Sequence, residues 1–236
     1  MLLKTEIKEF LMSQDNEMHA KIPSVTGIAL ILGSIIAITG FMLQQTLGLN
    51  PDDAATWLQS LGSNQDEATM GALLVTIGLL GWVVGVAGIN SALQDTPGKV
   101  WASPGFLLIC FAVISWAIIG QALVLTEIEY GAKLTGTAMD QQLVMAGGVA
   151  HSANVAITVL GSVSFGAGMI LIGLALFHNH YSHEWLTYLA ILVGVVAIIA
   201  SLIIYPINAE ISQLVTGFCF GGTVVWSVGM GIYRLR

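Results

Sequence analysis

Six long apolar stretches separated by short polar connections set the pattern of the chain: residues 25–47, 68–93, 104–126, 143–177, 186–205 and 211–233. The hydrocarbon core of a bilayer takes about 20 helical residues to cross, so each stretch is long enough for one passage. The pattern predicts an all-α, polytopic membrane protein, a bundle of six transmembrane helices. The fourth stretch exceeds one crossing and is expected to tilt, bend or extend beyond the bilayer. The fifth is the least polar and is expected to face lipid, with few groups to offer a ligand.

Ahead of the first stretch, Leu3, Ile7, Phe10 and Leu11 recur at helical spacing among charged residues. Residues 1–24 therefore read as a cytoplasmic amphipathic segment at the membrane surface, and 25–236 as a single six-helix transmembrane domain. Asn50-Pro51-Asp52-Asp53 is a helix start, with an N-cap residue, a proline for the first turn and acids that complement the dipole. It predicts a short interfacial helix over 51–61, lying on the surface with Trp57 at the headgroup level. Gly78, Gly81, Gly85 and Gly88 share one face of the second span, where Gly81 and Gly85 form a small-xxx-small pair. Gly217 and Gly221 repeat that spacing in the sixth, and both pairs are expected to pack helices closely. Pro23, Pro51, Pro97, Pro104 and Pro206 all fall in loops or at span ends by this reading, so no proline is expected inside a helix.

Composition agrees with the pattern. Hydrophobic residues make up 56% of the 236 and charged ones 9%, too few to coat a soluble surface. A net charge of −7 leaves no basic stripe for phosphates, which excludes nucleic acid as a partner. The bilayer is the first partner, with other membrane subunits or further copies of the chain beside it. Cys110 and Cys219 lie inside apolar runs and make no redox motif. Lys4, Lys8, Lys21, Lys99, Arg234 and Arg236 fall on one side of a six-span map and Lys133 alone on the other. The excess of basic residues puts both termini in the cytoplasm of a multi-pass protein of a prokaryotic plasma membrane. Asp52, Asp53, Asp66, Glu67, Glu127, Glu129, Asp140 and Glu210 then mark the opposite side, an acidic face that would draw cations.

Two constellations carry chemistry. His151, Asn154, Thr158 and Ser162 lie along one face of the fourth helix, where a polar stripe is expected to face the bundle interior or a wet cavity. It serves either as a polar path for a solute or proton, or as a source of interhelical hydrogen bonds, and no carboxylate or lysine partner for it stands out in the spans. His178, His180 and His183 form a second group, close enough in sequence to converge on Zn or Cu. Haem lacks a second axial histidine at the depth of His151, retinal lacks a lysine inside a span, and no nucleophile elbow or P-loop is present.

Three functions follow. The leading expectation is a non-catalytic integral subunit or scaffold of a larger membrane assembly, because glycine faces abound and no catalytic motif is found. The second is a small-solute transporter or channel with its polar path on the fourth helix. The third is a metal-binding membrane protein using the inner-face histidines.

Overall fold

A computed structural model describes residues 24–45, 47, 54–134, 140–179 and 182–235. The amphipathic segment before Ser24 and the Asn50 cap therefore lie outside the described residues. Helices follow in the order α1 (Ser24–Gln45), α2 (Ala54–Ser63), α3 (Gln65–Ala92), α4 (Lys99–Val113), a π-helical segment (Ile114–Gly120), α5 (Gln121–Leu134), α6 (Gln141–Asn179), α7 (Glu184–Ile199), a second π-helical segment (Ala200–Ile204) and α8 (Ala209–Leu235). Six helices are long and apolar enough to cross a membrane: Val25–Gln45, Gln65–Ala92, Lys99–Leu134, Gln141–Asn179, Glu184–Ile204 and Leu214–Tyr233. No strand occurs among the described residues.

The spans close into a ring in chain order. α1 packs on α3, α3 on α4, α4 on α6, α6 on α7, α7 on α8, and α8 returns to α1. With lipid offering no hydrophobic drive between helices, close packing has to hold them, and small residues allow it. The tightest seam joins α1 to α3. A side chain at Gly33 would meet the Trp82 backbone, one at Gly78 the Ala37 backbone, and one at Gly88 the Thr26 side chain. Gly85 admits Leu30, whereas Gly81 lies 3.6 Å, from an added Cβ, to the nearest atom, Gly33 Cα. The approach thus runs through Gly78, Gly85 and Gly88 more than through the Gly81–Gly85 pair. On α8, Gly217 reaches only Phe41 at 3.9 Å and Gly221 has nothing within 4 Å, so neither seats a neighbouring helix. Their side of α8 carries the exposed Leu214, Phe218 and Val225 instead.

Three features depart from the sequence pattern. Pro104 stands inside α4. Its ring is exposed and displaces no packed neighbour, while the helix gives up the N–H bond that another residue would make to the Val100 carbonyl. The third and fourth spans run on as helices of 36 and 39 residues. At about 1.5 Å per residue α6 is about 58 Å long, nearly twice the roughly 30 Å of hydrocarbon. Its first turns run beside α5, and the two dock α2 between them. That docking is backbone to backbone: Gly62 of α2 faces Gly131 of α5, and a side chain at Gly131 would strike the Leu58 carbonyl. Leu58 and Leu61 are buried by it, and Leu61 joins Ala68, Ala72, Val124 and Ile128 in a small core of their own. Trp57 accordingly turns toward the bundle rather than outward to the headgroups.

Candidate functional site

The residues of the α6 stripe step by three, four and four, which keeps them on one face of a helix. The structure turns that face inward. His151, Asn154, Thr158 and Ser162 all line a cavity of about 190 Å³ at the end of the bundle where α1 finishes and α8 begins. Every span contributes to its wall: Gln44 and Gln45 from α1, Val75 and Leu79 from α3, Gln121 and Val124 from α5, Ser201 and Tyr205 from the end of the fifth span, Ser212 and Thr216 from α8. α2 adds Trp57 and Leu61. The fifth span, expected to offer little to a ligand, supplies two hydroxyls, from Ser201 in the second π segment and Tyr205 just after it.

Aromatic rings make the floor. Trp116 lies 5.2 Å from Phe165 and 5.3 Å from Phe220, and Phe41 lies 5.0 Å from Phe220, all tilted rather than stacked face to face. Trp116 is anchored by its Nε1–H, which donates to the Thr158 carbonyl at 3.2 Å. Gly161 makes that contact possible, since an added Cβ would stand 2.5 Å from the indole nitrogen. The π segment bearing Trp116 begins where Ser115 Oγ bonds back to the Phe111 carbonyl at 2.9 Å, a competitor for the regular helix ladder. π turns of this kind recur at functional sites, and both π segments among the described residues border the cavity. Near the rim, Gln44 Nε2 donates to Gln121 Oε1 at 3.1 Å and ties α1 to α5.

Behind the wall stands Glu127, with no exposed surface. Trp57 Nε1 donates to its Oε2. Asn154 Nδ2 donates to Oε1 at 3.1 Å. His151 Nδ1 stands 3.8 Å from the same oxygen, and its ring lies 4.9 Å from the Trp57 ring. The stripe therefore does have a carboxylate partner. Sequence reasoning put Glu127 in an outer acidic loop because the apolar run stops at Thr126, yet the helix continues to Leu134 and turns this one acid inward. The signal was the spacing: Val124, Glu127, Ile128 and Gly131 form the buried face of α5, while Glu129 points out and pairs with Lys133 at 2.7 Å. An isolated ionised carboxylate in such a place would cost several kcal/mol, and the two hydrogen bonds from Trp57 and Asn154, with the His151 ring beside them, are what the low dielectric demands.

The histidines at the far end of α6 are arranged differently. His178 returns Nδ1 to the Leu174 carbonyl at 2.9 Å and lies 6.2 Å from the Trp101 ring, whereas His183 caps α7 and meets Tyr233 edge-on at 5.4 Å. His180 lies outside the described residues. Among the described residues no three His, Cys, Asp or Glu side chains gather as a set of metal ligands. They stand at the opposite end of α6 from His151, so they share no site with the cavity.

No curated protein matches the chain, and no solved structure does. One family matches residues 25–235, the whole of the six-helix bundle, and its description is a domain of unknown function, DUF4386. The ring of spans and its half-length polar cavity are thus features of a chain that belongs to the DUF4386 family.

Proposed function

We propose that the protein binds a small solute of about one ring in size in the cavity and moves it across the membrane. What supports this reading is the convergence of all six spans on one chamber that stops at an aromatic floor, five of them with polar side chains. Polar groups cost free energy inside a bundle, and hydrogen bonding between helices alone does not leave about 190 Å³ of space among them. For scale, an engineered protein cavity of about 150 Å³ holds benzene. The excess of lysine and arginine at the other end of the spans makes the mouth extracytoplasmic, in a plasma membrane of prokaryotic type with both termini inside. Passage then requires the floor to open, and the two π segments are the places where the wall can re-form its backbone bonds.

Thr158→Phe tests the reading, because the ring fills the chamber from the middle of α6. In detergent, single-ring solutes are expected to raise the thermal midpoint of the wild-type protein and not of Thr158→Phe, and flux into proteoliposomes is expected to stop in the variant. A panel that stabilises both equally, or neither, would defeat the proposal. The assembly-subunit reading keeps one observation of its own, the face of α8 where Gly221 has no neighbour amid Leu214, Phe218 and Val225. Mild extraction that yields a stoichiometric companion chain would favour it, and a lone monomer would count against it.

A further inference from the structure

We infer that the solute is a small organic ammonium ion, and that it enters in exchange for a proton held by Glu127 and His151. The inference rests on the solute-binding reading and narrows it. Charge balance carries it. Glu127 is fully buried, His151 is nearly so, and among the described residues no lysine or arginine lines the cavity. Trp57 and Asn154 solvate the carboxylate with hydrogen bonds, but both are neutral. One positive charge must offset it, and among the described residues two sources fit: a proton on the Glu127–His151 pair, or a cation in the chamber.

The chamber suits the second source as well as the first. His151 and Asn154 form its wall and both face Glu127 Oε1, at 3.8 and 3.1 Å, so an ammonium group beside them is one side chain from the carboxylate. Trp57, Trp116, Phe41 and Phe220 present ring surface to the rest of a cation, and glutamine, serine and threonine groups accept its N–H bonds. An anion has no counter-charge here. Two positive charges at once would repel across the same wall, which makes proton and cation alternatives.

Among the described residues, the other ionisable groups on the surrounding helices stand away from the pair. α2 carries no ionisable residue, and neither does α1 over its helical length. On α5, Glu129 and Lys133 are exposed and satisfy each other. Asp66 and Glu67 at the start of α3 and Asp140 before α6 are exposed. Tyr205 contributes a phenol at the cavity, and the part of α8 that lines it, Ser212 to Phe220, has no charged side chain among those described.

Benzylamine and benzyl alcohol, which share ring and length and differ in charge, form the test on the purified full chain. Benzylamine is expected to bind at least about tenfold more tightly than the alcohol, an advantage that shrinks as added protons compete with the cation for the same place. In weakly buffered solution each benzylamine bound should release up to one proton. Glu127→Gln should abolish both the preference and the proton release. Should that variant fail to fold, the wild-type comparison still decides. Equal binding of the two compounds, or amine binding without proton release, overturns the cation exchange while leaving a solute site. Failure of both compounds to bind overturns both readings.

Discussion

The two ends of the bundle are built from the same helices to opposite purposes. At the closed end the ring is filled by large apolar side chains: Trp82, Ile109, Met169, Ile172, Leu176, Trp226 and Met230 are all essentially without exposed surface. The polar atoms there are few and mostly settled, as where Trp82 Nε1 donates to Ser227 Oγ at 2.8 Å. At the cavity end the same faces of α6 and α8 turn to His151, Asn154, Thr158, Ser162, Ser212 and Thr216, short or polar groups that cannot meet across the axis. Void and polarity therefore arrive together. Stability is concentrated below the aromatic floor, and above it the protein gives up packing for a chamber.

The largest expected effect lies at the closed end. Trp226→Ala should cost about 3–5 kcal/mol, the range for removing a fully buried large aromatic, read as a lowered unfolding midpoint in detergent. Trp226→Phe sharpens the point. Its indole N–H is buried with no hydrogen-bond partner among the described residues, so removing that donor offsets part of the lost volume. The phenylalanine variant should therefore be far closer to wild type. A loss from Trp226→Phe as large as from alanine would mean the nitrogen is bonded and the closed end less apolar than described.

Next comes the seam that binds both ends, α1 against α3. Gly78→Ala is expected to cost about 1–3 kcal/mol, since its methyl would strike the Ala37 backbone and the helices must separate. Gly81→Ala, three residues on, should be neutral or slightly stabilising, because an added Cβ lies 3.6 Å from its nearest neighbour. Equal losses at the two positions would show that the seam is not set by these contacts.

Apolar run length made the six spans legible, and the 3.6-residue period put His151, Asn154, Thr158 and Ser162 on a common face. What the pattern could not yield was the partner of that face. Glu127 looks like every other acid near a span end until the helix is known to continue, and a helix that runs on past its apolar stretch leaves no hydropathy signal. Trp57 was mistaken in direction for a related reason: a short amphipathic helix reads alike whether its stripe meets lipid or protein, and only the Gly62–Gly131 contact decides. Gly217 and Gly221 show the converse. Their spacing resembles a packing motif, yet spacing does not say whether a neighbour is present. The π segments escaped as well, because serines such as Ser115 and Ser201 bond back along most helices without rearranging them.

The smallest effect is the most direct comparison of the two ends, a pair of matched serine deletions. Ser162 and Ser227 are both buried, on facing helices, one at the cavity and one below the floor. Ser162 Oγ only returns to the Thr158 carbonyl at 2.9 Å, an acceptor that Trp116 also serves, so Ser162→Ala orphans no donor. Its cost should stay within about 0.5 kcal/mol. Ser227→Ala leaves the Trp82 indole N–H buried without its acceptor and should cost about 1–3 kcal/mol. The difference can be read from unfolding midpoints measured side by side in one detergent. Were the two losses equal, the cavity end would be as tightly specified as the closed end, and its polar groups would belong to packing rather than to a chamber for a ligand.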